Sequence, residues 1–355
     1  MRKFYVTIIS LIIFAAVVLS TGLFLQHLGS THTTHIIPAS IIRRKVTRGD
    51  KSAFFTAGFQ IDTASDAYNA ANSGIQQAFT YGDIHAEDSD LGRTFKSLHI
   101  KQVDGGISSY LYQYECHRLY QQHFHLQHFC SQDYPGMDHQ RLITLVKAEI
   151  ASAKRTTLRA GYWILDDWPG ADEGSAKSLL REITSIIHSE DPGIRSICGF
   201  GAELGVNYED LLNPAVVENY APGGCDIVGI YIYSQSVTDP GTSDSTFDWS
   251  MSTLLPRMLN GLSQQGWDQK KVPLMGIAQA WAGIRADFPG YYEIAPTAQD
   301  IEMQSLSFCQ SGAIGINYYG WNDSTVRNMQ TPANNAQIKQ GVIDGIKACE
   351  NYWGF

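Results

Sequence analysis

The chain predicts an α/β fold: a single (β/α)8 barrel over residues 53–355, behind an N-terminal export segment. Three observations carry this. Eight short apolar runs recur with helix-like stretches between them, and acids and aromatics gather at the carboxyl ends of those runs. No glycine-rich phosphate loop follows the first run, where a doubly wound dinucleotide-binding sheet needs one. Strands alternating with helices make βαβ units and a parallel sheet, and eight of them close into a barrel more readily than they extend an open sheet.

In chain order, Arg2 and Lys3 precede an apolar run from Val6 to Leu25. That order is the order of a secretory signal, and Val18-Leu19-Ser20 offers a small-residue cleavage site. The run also approaches the ~20 residues that span a bilayer. Residues 1–25 are therefore expected to be a signal peptide or an uncleaved transmembrane anchor, and the folded part is secreted or anchored facing outside the cytoplasm. Membrane contact is expected only through this segment, if it stays uncleaved. Residues 26–52, which mix His, Thr and Ser with Arg43, Arg44, Lys45 and Arg48, read as a linker.

The strand-like runs are Ala53–Asp62, Gly74–Gly82, His99–Asp104, Arg159–Asp167, Arg195–Glu203, Cys225–Ser234, Val272–Trp281 and Ala313–Asn322. Amphipathic helices are expected over Asp138–Lys154, Glu173–Ser189, Met251–Gln265, Ala298–Gln310 and Asn335–Glu350. Asp62 with Thr63 and Ser65 reads as a capping turn, and Asp104-Gly105-Gly106 as a turn whose glycines supply positive φ.

Composition narrows the function classes. A formal net charge of −9, with no basic run after Lys51, argues against nucleic acid as a partner. The six cysteines form no CxxC pair, and their wide spacing suits disulfides in an oxidising compartment. Cys116–Cys130 closes a local loop and Cys309–Cys349 joins two late helices, whereas Cys198 and Cys225 fit either a pair or buried free thiols. His117, His123, His125 and His128 lie between Cys116 and Cys130, but no second ligand set follows. A disulfide-bounded loop is the expectation there, with no metal and no cofactor.

The most informative segment is Gly161–Gly170, GYWILDDWPG. An apolar run meets Asp166 and Asp167 before Trp168, Pro169 and Gly170 end the strand. Acids at the carboxyl end of a barrel strand sit where such barrels keep their chemistry, and their desolvation cost argues for an open cleft. The polar candidates at the strand ends are Asp62, Asp83, Asp104, Asp166, Asp167, Glu203, Gln279 and Asp323. Tyr81, Trp168, Tyr231, Tyr233, Trp281, Tyr318, Tyr319 and Trp321 supply rings beside them. Flat rings stack on the C–H face of a pyranose while carboxylates and amides bond its hydroxyls. A carbohydrate is the expected partner, with Asp62, Asp104, Gln279 and those aromatics as its binding residues.

GYWILDDWPG resembles the fourth strand of barrel glycoside hydrolases, and Val272–Trp281 and Ala313–Trp321 resemble that superfamily's last two strands. The resemblance implies hydrolysis of O-glycosidic bonds in an oligo- or polysaccharide. It places Asp167 at the general acid position, with Asp166 orienting it or holding a hydroxyl. Glu203 is the best second carboxylate, with Asp104 and Asp62 behind it. One departure matters: many retaining members end the seventh strand in a glutamate, and here that region offers Gln279. A barrel that binds glycan without cleaving it is the alternative. Two structural readings also stand, in which Asp166-Asp167 caps a helix and Glu203 is an exposed loop acid.

Overall fold

The computed structural model describes residues 54–121, 130, 132–166, 175–201, 219–233, 236–237, 250–285, 292–323 and 326–355. In chain order these form β1 (Phe55–Phe59), α1 (Ala64–Asn72), β2 (Gln77–Phe79), α2 (Asp90–Ser97), β3 (Lys101–Asp104), α3 (Gly106–Gln121) and α4 (His139–Ala153). Next come β4 (Arg159–Leu165), α5 (Ser175–Glu190), β5 (Arg195–Gly201), β6 (Ile227–Ile232) and β7 (Ser236–Val237). A π-helical turn over Ser250–Leu254 leads into α6 (Leu255–Gln264), followed by β8 (Leu274–Gln279), β9 (Ala282–Arg285) and β10 (Tyr292–Glu293). The chain ends with α7 (Ala298–Gln310), β11 (Ala313–Tyr319), β12 (Val326–Gln330) and α8 (Ala336–Trp353).

Eight of the strands close a parallel barrel in the order β1-β11-β8-β6-β5-β4-β3-β2. Each lies inside one of the eight apolar runs. The first and last strands close the ring, Phe55 pairing with Gly315 and Gly58 with Tyr318. The strands are apolar on both faces because one face fills the lumen and the other packs under the helices. Inside sit Ala57, Phe59, Phe79, Val103, Trp163, Ile197, Ile227, Met275 and Ile277. Outside, Ile164, Phe200, Val228 and Ile230 meet helix residues such as Leu142, Leu180, Ile183 and Phe308. Gly199 lies where Trp163 crosses the lumen: a Cβ there would stand 2.3 Å from the indole Cη2.

Local signals set the helix ends. Asp138 caps α4, its carboxylate accepting from Arg141 N at 2.7 Å. Thr297 and Asp300 form a reciprocal capping box on α7. Thr63, not Asp62, caps α1. Asp104-Gly105-Gly106 is no open turn, since α3 begins at Gly106 and neither glycine has positive φ. Close approach demands these glycines: a Cβ on Gly105 would meet Thr80 O at 1.8 Å, and one on Gly106 would meet Glu149 Cδ at 2.7 Å.

One layer is absent from the sequence-based expectation. The segments after β6, β8 and β11 contribute a four-stranded antiparallel sheet in the order β12-β9-β10-β7. All six cysteines pair, as Cys116–Cys130, Cys198–Cys225 and Cys309–Cys349, with Cα separations of 5.3, 5.9 and 5.7 Å. Such bonds persist in oxidising compartments. Among the described residues no helix is long and apolar enough to cross a membrane; the export segment and linker lie outside them.

Candidate functional site

Period-two alternation along the strands selects the side chains that meet at the carboxyl end of the barrel. Phe59, Tyr81, Trp163, Tyr231, Tyr233, Trp281 and Tyr319 point inward and form one aromatic cup. Phe59 is its hub, with ring centroids 5.4 Å from Tyr81, Trp163 and Tyr319 and 6.1 Å from Tyr231. Tyr233 meets Trp281 at 5.7 Å, and Trp281 meets Tyr319 at 5.9 Å. Tyr81 and Tyr233 are partly exposed, while Tyr231, Trp281 and Tyr319 are buried beneath them.

Carboxylates edge the cup. Asp166 directly follows β4 and accepts a 2.7 Å hydrogen bond from the Tyr231 hydroxyl at Oδ1. Asp323, beyond β11, accepts one from the Tyr319 hydroxyl at Oδ2, also at 2.7 Å. Asp62 follows β1 and accepts from the Asn322 amide at 3.3 Å. Desolvation pushes the Asp62 carboxyl up and the His85 imidazole down, and each is partly offset by the charge of the other. The Tyr81 hydroxyl is held well above its ordinary range by burial and then by the Asp166 charge. Tyr319 is shifted the same way by burial and then by Asp323, with a further push from Asp166. Both phenols therefore remain neutral hydrogen-bond donors at working pH.

The structure thus brings together Asp62, Tyr81, Asp166, Tyr231, Tyr233, Trp281 and Tyr319. Asp167, Trp168 and Glu203 lie outside the described residues. Asp104, Tyr318 and Trp321 stand away from the cup, a correction to their expected place there. Val103 and Tyr319 take the inward positions, so Asp104 and Tyr318 face the helices. Tyr318 meets the Ser305 hydroxyl on α7 at 3.0 Å. Trp321 packs in the outer core against Gly58, where a Cβ would stand 2.6 Å from its ring. Asp104 is buried, accepts from Gly106 N at 3.1 Å and Ile84 N at 3.4 Å, and pairs with Glu149 of α4. Gln279 is at the rim but buried, its amide donating to Trp281 O at 3.1 Å, Ile294 O at 3.3 Å and Glu293 Oε2 at 3.4 Å.

Phe59, Trp163 and His85 were not expected at the site. The first two share the inward parity of the predicted rings, a signal that would have found them. His85 carries none, because it sits in an irregular segment. Among the described residues no group of three His, Cys, Asp or Glu side chains is arranged to hold a metal ion.

No protein-family model matches the chain, and no curated protein sequence matches it. Solved structures do. A class V chitinase from Pseudomonas fluorescens Pf-5 superposes with a TM-score of 0.51 at 12% identity, covering 83% of this chain and 100% of that one. The endo-beta-1,4-mannanase of Thermotoga petrophila gives a TM-score of 0.51 at 11% identity, covering 84% and 77%. A chitinase-like agglutinin from Robinia pseudoacacia gives 0.49 at 13% identity, covering 81% and 98%. By fold, at low sequence identity, this chain resembles the (β/α)8-barrel glycoside hydrolases.

Proposed function

We propose that the protein is an extracytoplasmic glycoside hydrolase acting on an oligo- or polysaccharide. Residues 1–25 would be its export signal or anchor, and 26–52 its linker. The observation that carries the reading is the aromatic cup at the strand ends, edged by Asp166 in the grip of Tyr231. Rings partly open to water above buried ones offer a pyranose a flat apolar face, and the carboxylates at the edge suit its hydroxyls. Three disulfides support a location outside the cytoplasm.

Hydrolysis of a glycosidic bond needs one carboxylic acid to protonate the leaving oxygen and a second carboxylate to attack or to activate water. Asp167 is the proposed acid, as successor to Asp166 in the strand-four segment. Asp166, bonded to Tyr231, would orient it or hold a sugar hydroxyl. Glu203, two residues past β5 in the sequence, is the second carboxylate expected from the sequence.

A second reading has one observation in its favour. The amide of Gln279, at the end of the strand where many retaining barrel glycosidases carry a glutamate, is engaged by Trp281, Ile294 and Glu293. A barrel of this kind could bind glycan without cleaving it. A reducing-sugar screen over polysaccharides that include chitin and β-1,4-mannan separates the two. The hydrolase reading expects release by the wild type and a loss of about 10²–10⁴-fold in kcat for Asp167→Asn. Binding without release by the wild type would establish the glycan-binding reading instead.

A further inference from the structure

We propose that Asp323 is the second catalytic carboxylate of this site, acting as general base across the mouth from Asp166. The inference rests on the hydrolase reading above and replaces Glu203 in it. Position is the first argument. In the closed ring, β11 and β4 are separated by β8, β6 and β5 on one side and by β1, β2 and β3 on the other. Asp323 beyond β11 and Asp166 beyond β4 therefore stand on opposite sides of the mouth. Acid and base on opposite faces of the sugar ring are what direct displacement by water requires.

The second argument is the matched way in which the two carboxyls are held. Tyr231 donates to Asp166 at 2.7 Å and Tyr319 donates to Asp323 at 2.7 Å, with the two rings 6.3 Å apart in the cup. The Tyr81 ring stands 6.5 Å from that of Tyr319, at the edge of the same cup. The Asp166 charge acts on both of their hydroxyls. Since its phenol stays neutral, Tyr319 is a positioning residue: it aims Asp323 and gives up no proton.

Exclusion is the third argument. Asp104 is buried against Glu149 behind the lumen, and Glu293, on β10 of the antiparallel sheet, is 3% exposed. Asp62 is exposed and accepts from the Asn322 amide rather than from a phenol. Asp323 is half-buried, beyond a strand end and beside the aromatic cup, where Tyr319 holds it.

The step balances as follows. An Asp323 oxygen takes a proton from water as the water oxygen forms a bond to the anomeric carbon. The bond from that carbon to the leaving oxygen breaks, its electron pair passes to the oxygen, and the strand-four acid supplies the proton. Water is the only co-reactant, and the anomeric configuration inverts.

The test uses the full-length protein with a panel of soluble oligosaccharides of chitin, mannan, cellulose and xylan. Hydrolysis is followed by chromatography, product anomer by early-time NMR, and binding by tryptophan fluorescence. Asp323→Asn should lower kcat about 10²–10⁴-fold while binding stays close to wild type, and Glu203→Gln should lower it by less. Azide should restore turnover to Asp323→Ala, giving a glycosyl azide of inverted configuration, because an anionic nucleophile needs no base. Wild-type turnover in Asp323→Asn, a larger loss in Glu203→Gln than in Asp323→Asn, or a retained anomer would each overturn the assignment of Asp323 and leave the hydrolase reading intact. If the wild type binds the panel and cleaves none of it, the hydrolase reading falls and takes this assignment with it.

Discussion

The buried pair Asp104–Glu149 makes stability depend on pH in a direction that can be worked from the structure. Asp104 is 0% exposed and Glu149 4%, too closed for two negative charges to be hydrated. Burial, then repulsion from Glu149, holds the Asp104 carboxyl well above the ordinary carboxylate range, and burial also raises Glu149. The other groups that bear on them are Asp83, Tyr110 and Tyr162. Asp83 adds negative charge, and the Tyr110 hydroxyl donates to Glu149 Oε2 at 3.0 Å. The folded state therefore keeps a proton that the unfolded chain releases near pH ~4. With more protons bound folded than unfolded, stability is highest below that pH and falls as pH rises toward the raised value. The slope is at most about 1.4 kcal/mol per pH unit for one proton. Asp104→Asn removes the shared proton, and the amide can donate to an ionised Glu149 in its place. The amide oxygen cannot serve both Gly106 N and Ile84 N as two carboxylate oxygens do, which costs about 1 kcal/mol. Urea denaturation of both proteins from about pH 5 to pH 8 should show the variant less stable at the acid end. The difference should shrink or reverse toward the alkaline end. A difference that does not change with pH would refute the shared proton.

Other outcomes follow from the packing of the barrel. Replacing Cys309 and Cys349 by Ala opens a cross-link between α7 and α8 over a separation of 40 residues. Chain entropy sets the loss at about 4 kcal/mol in urea denaturation; an unchanged midpoint would contradict it. Gly199→Ala puts a methyl group 2.3 Å from the Trp163 ring, so melting should report a loss of about 1–3 kcal/mol. Glycan binding should weaken too, because Trp163 supports the floor of the cup. Tyr231→Phe removes the hydrogen bond to Asp166 and leaves the ring. Steady-state kinetics should show kcat reduced about tenfold to a hundredfold, the equivalent of a bond to a charged group, with the fold unchanged by circular dichroism.

The barrel was legible because its signals are local. Apolar runs of β6 and β8 have few alternative homes, and α7 coincides with its expected span, Ala298–Gln310, because Thr297 and Asp300 mark its start. The antiparallel sheet was not legible: β7 and β10 are two residues each, too short for any period to register. α3 carries Tyr, Ser and His on all sides and shows no clean apolar face. Within the site, the resolution of the sequence stopped at single-residue parity. Tyr318 and Tyr319 are neighbours of one chemical type, and only the register of β11 against β1 and β8 decides which enters the lumen. Asp104 looked like a strand-end acid and turned outward because Val103 took the inward place. Phe59 and Trp163 read as ordinary core because nothing local separates a cup floor from packing. Asp323 ranked among the strand-end acids, but its phenol partner, four residues earlier across the strand end, is visible only in three dimensions.

A crystal structure of the protein with a bound oligosaccharide tests the central claim most directly, with Asp323→Asn used to block turnover. The account predicts a pyranose ring in the cup, against Tyr233 and Tyr81, with a hydroxyl or the glycosidic oxygen within hydrogen-bond reach of the strand-four carboxylates and residue 323 facing the anomeric carbon. A glycan bound away from these rings, or an empty cup beside an occupied surface elsewhere, would contradict it.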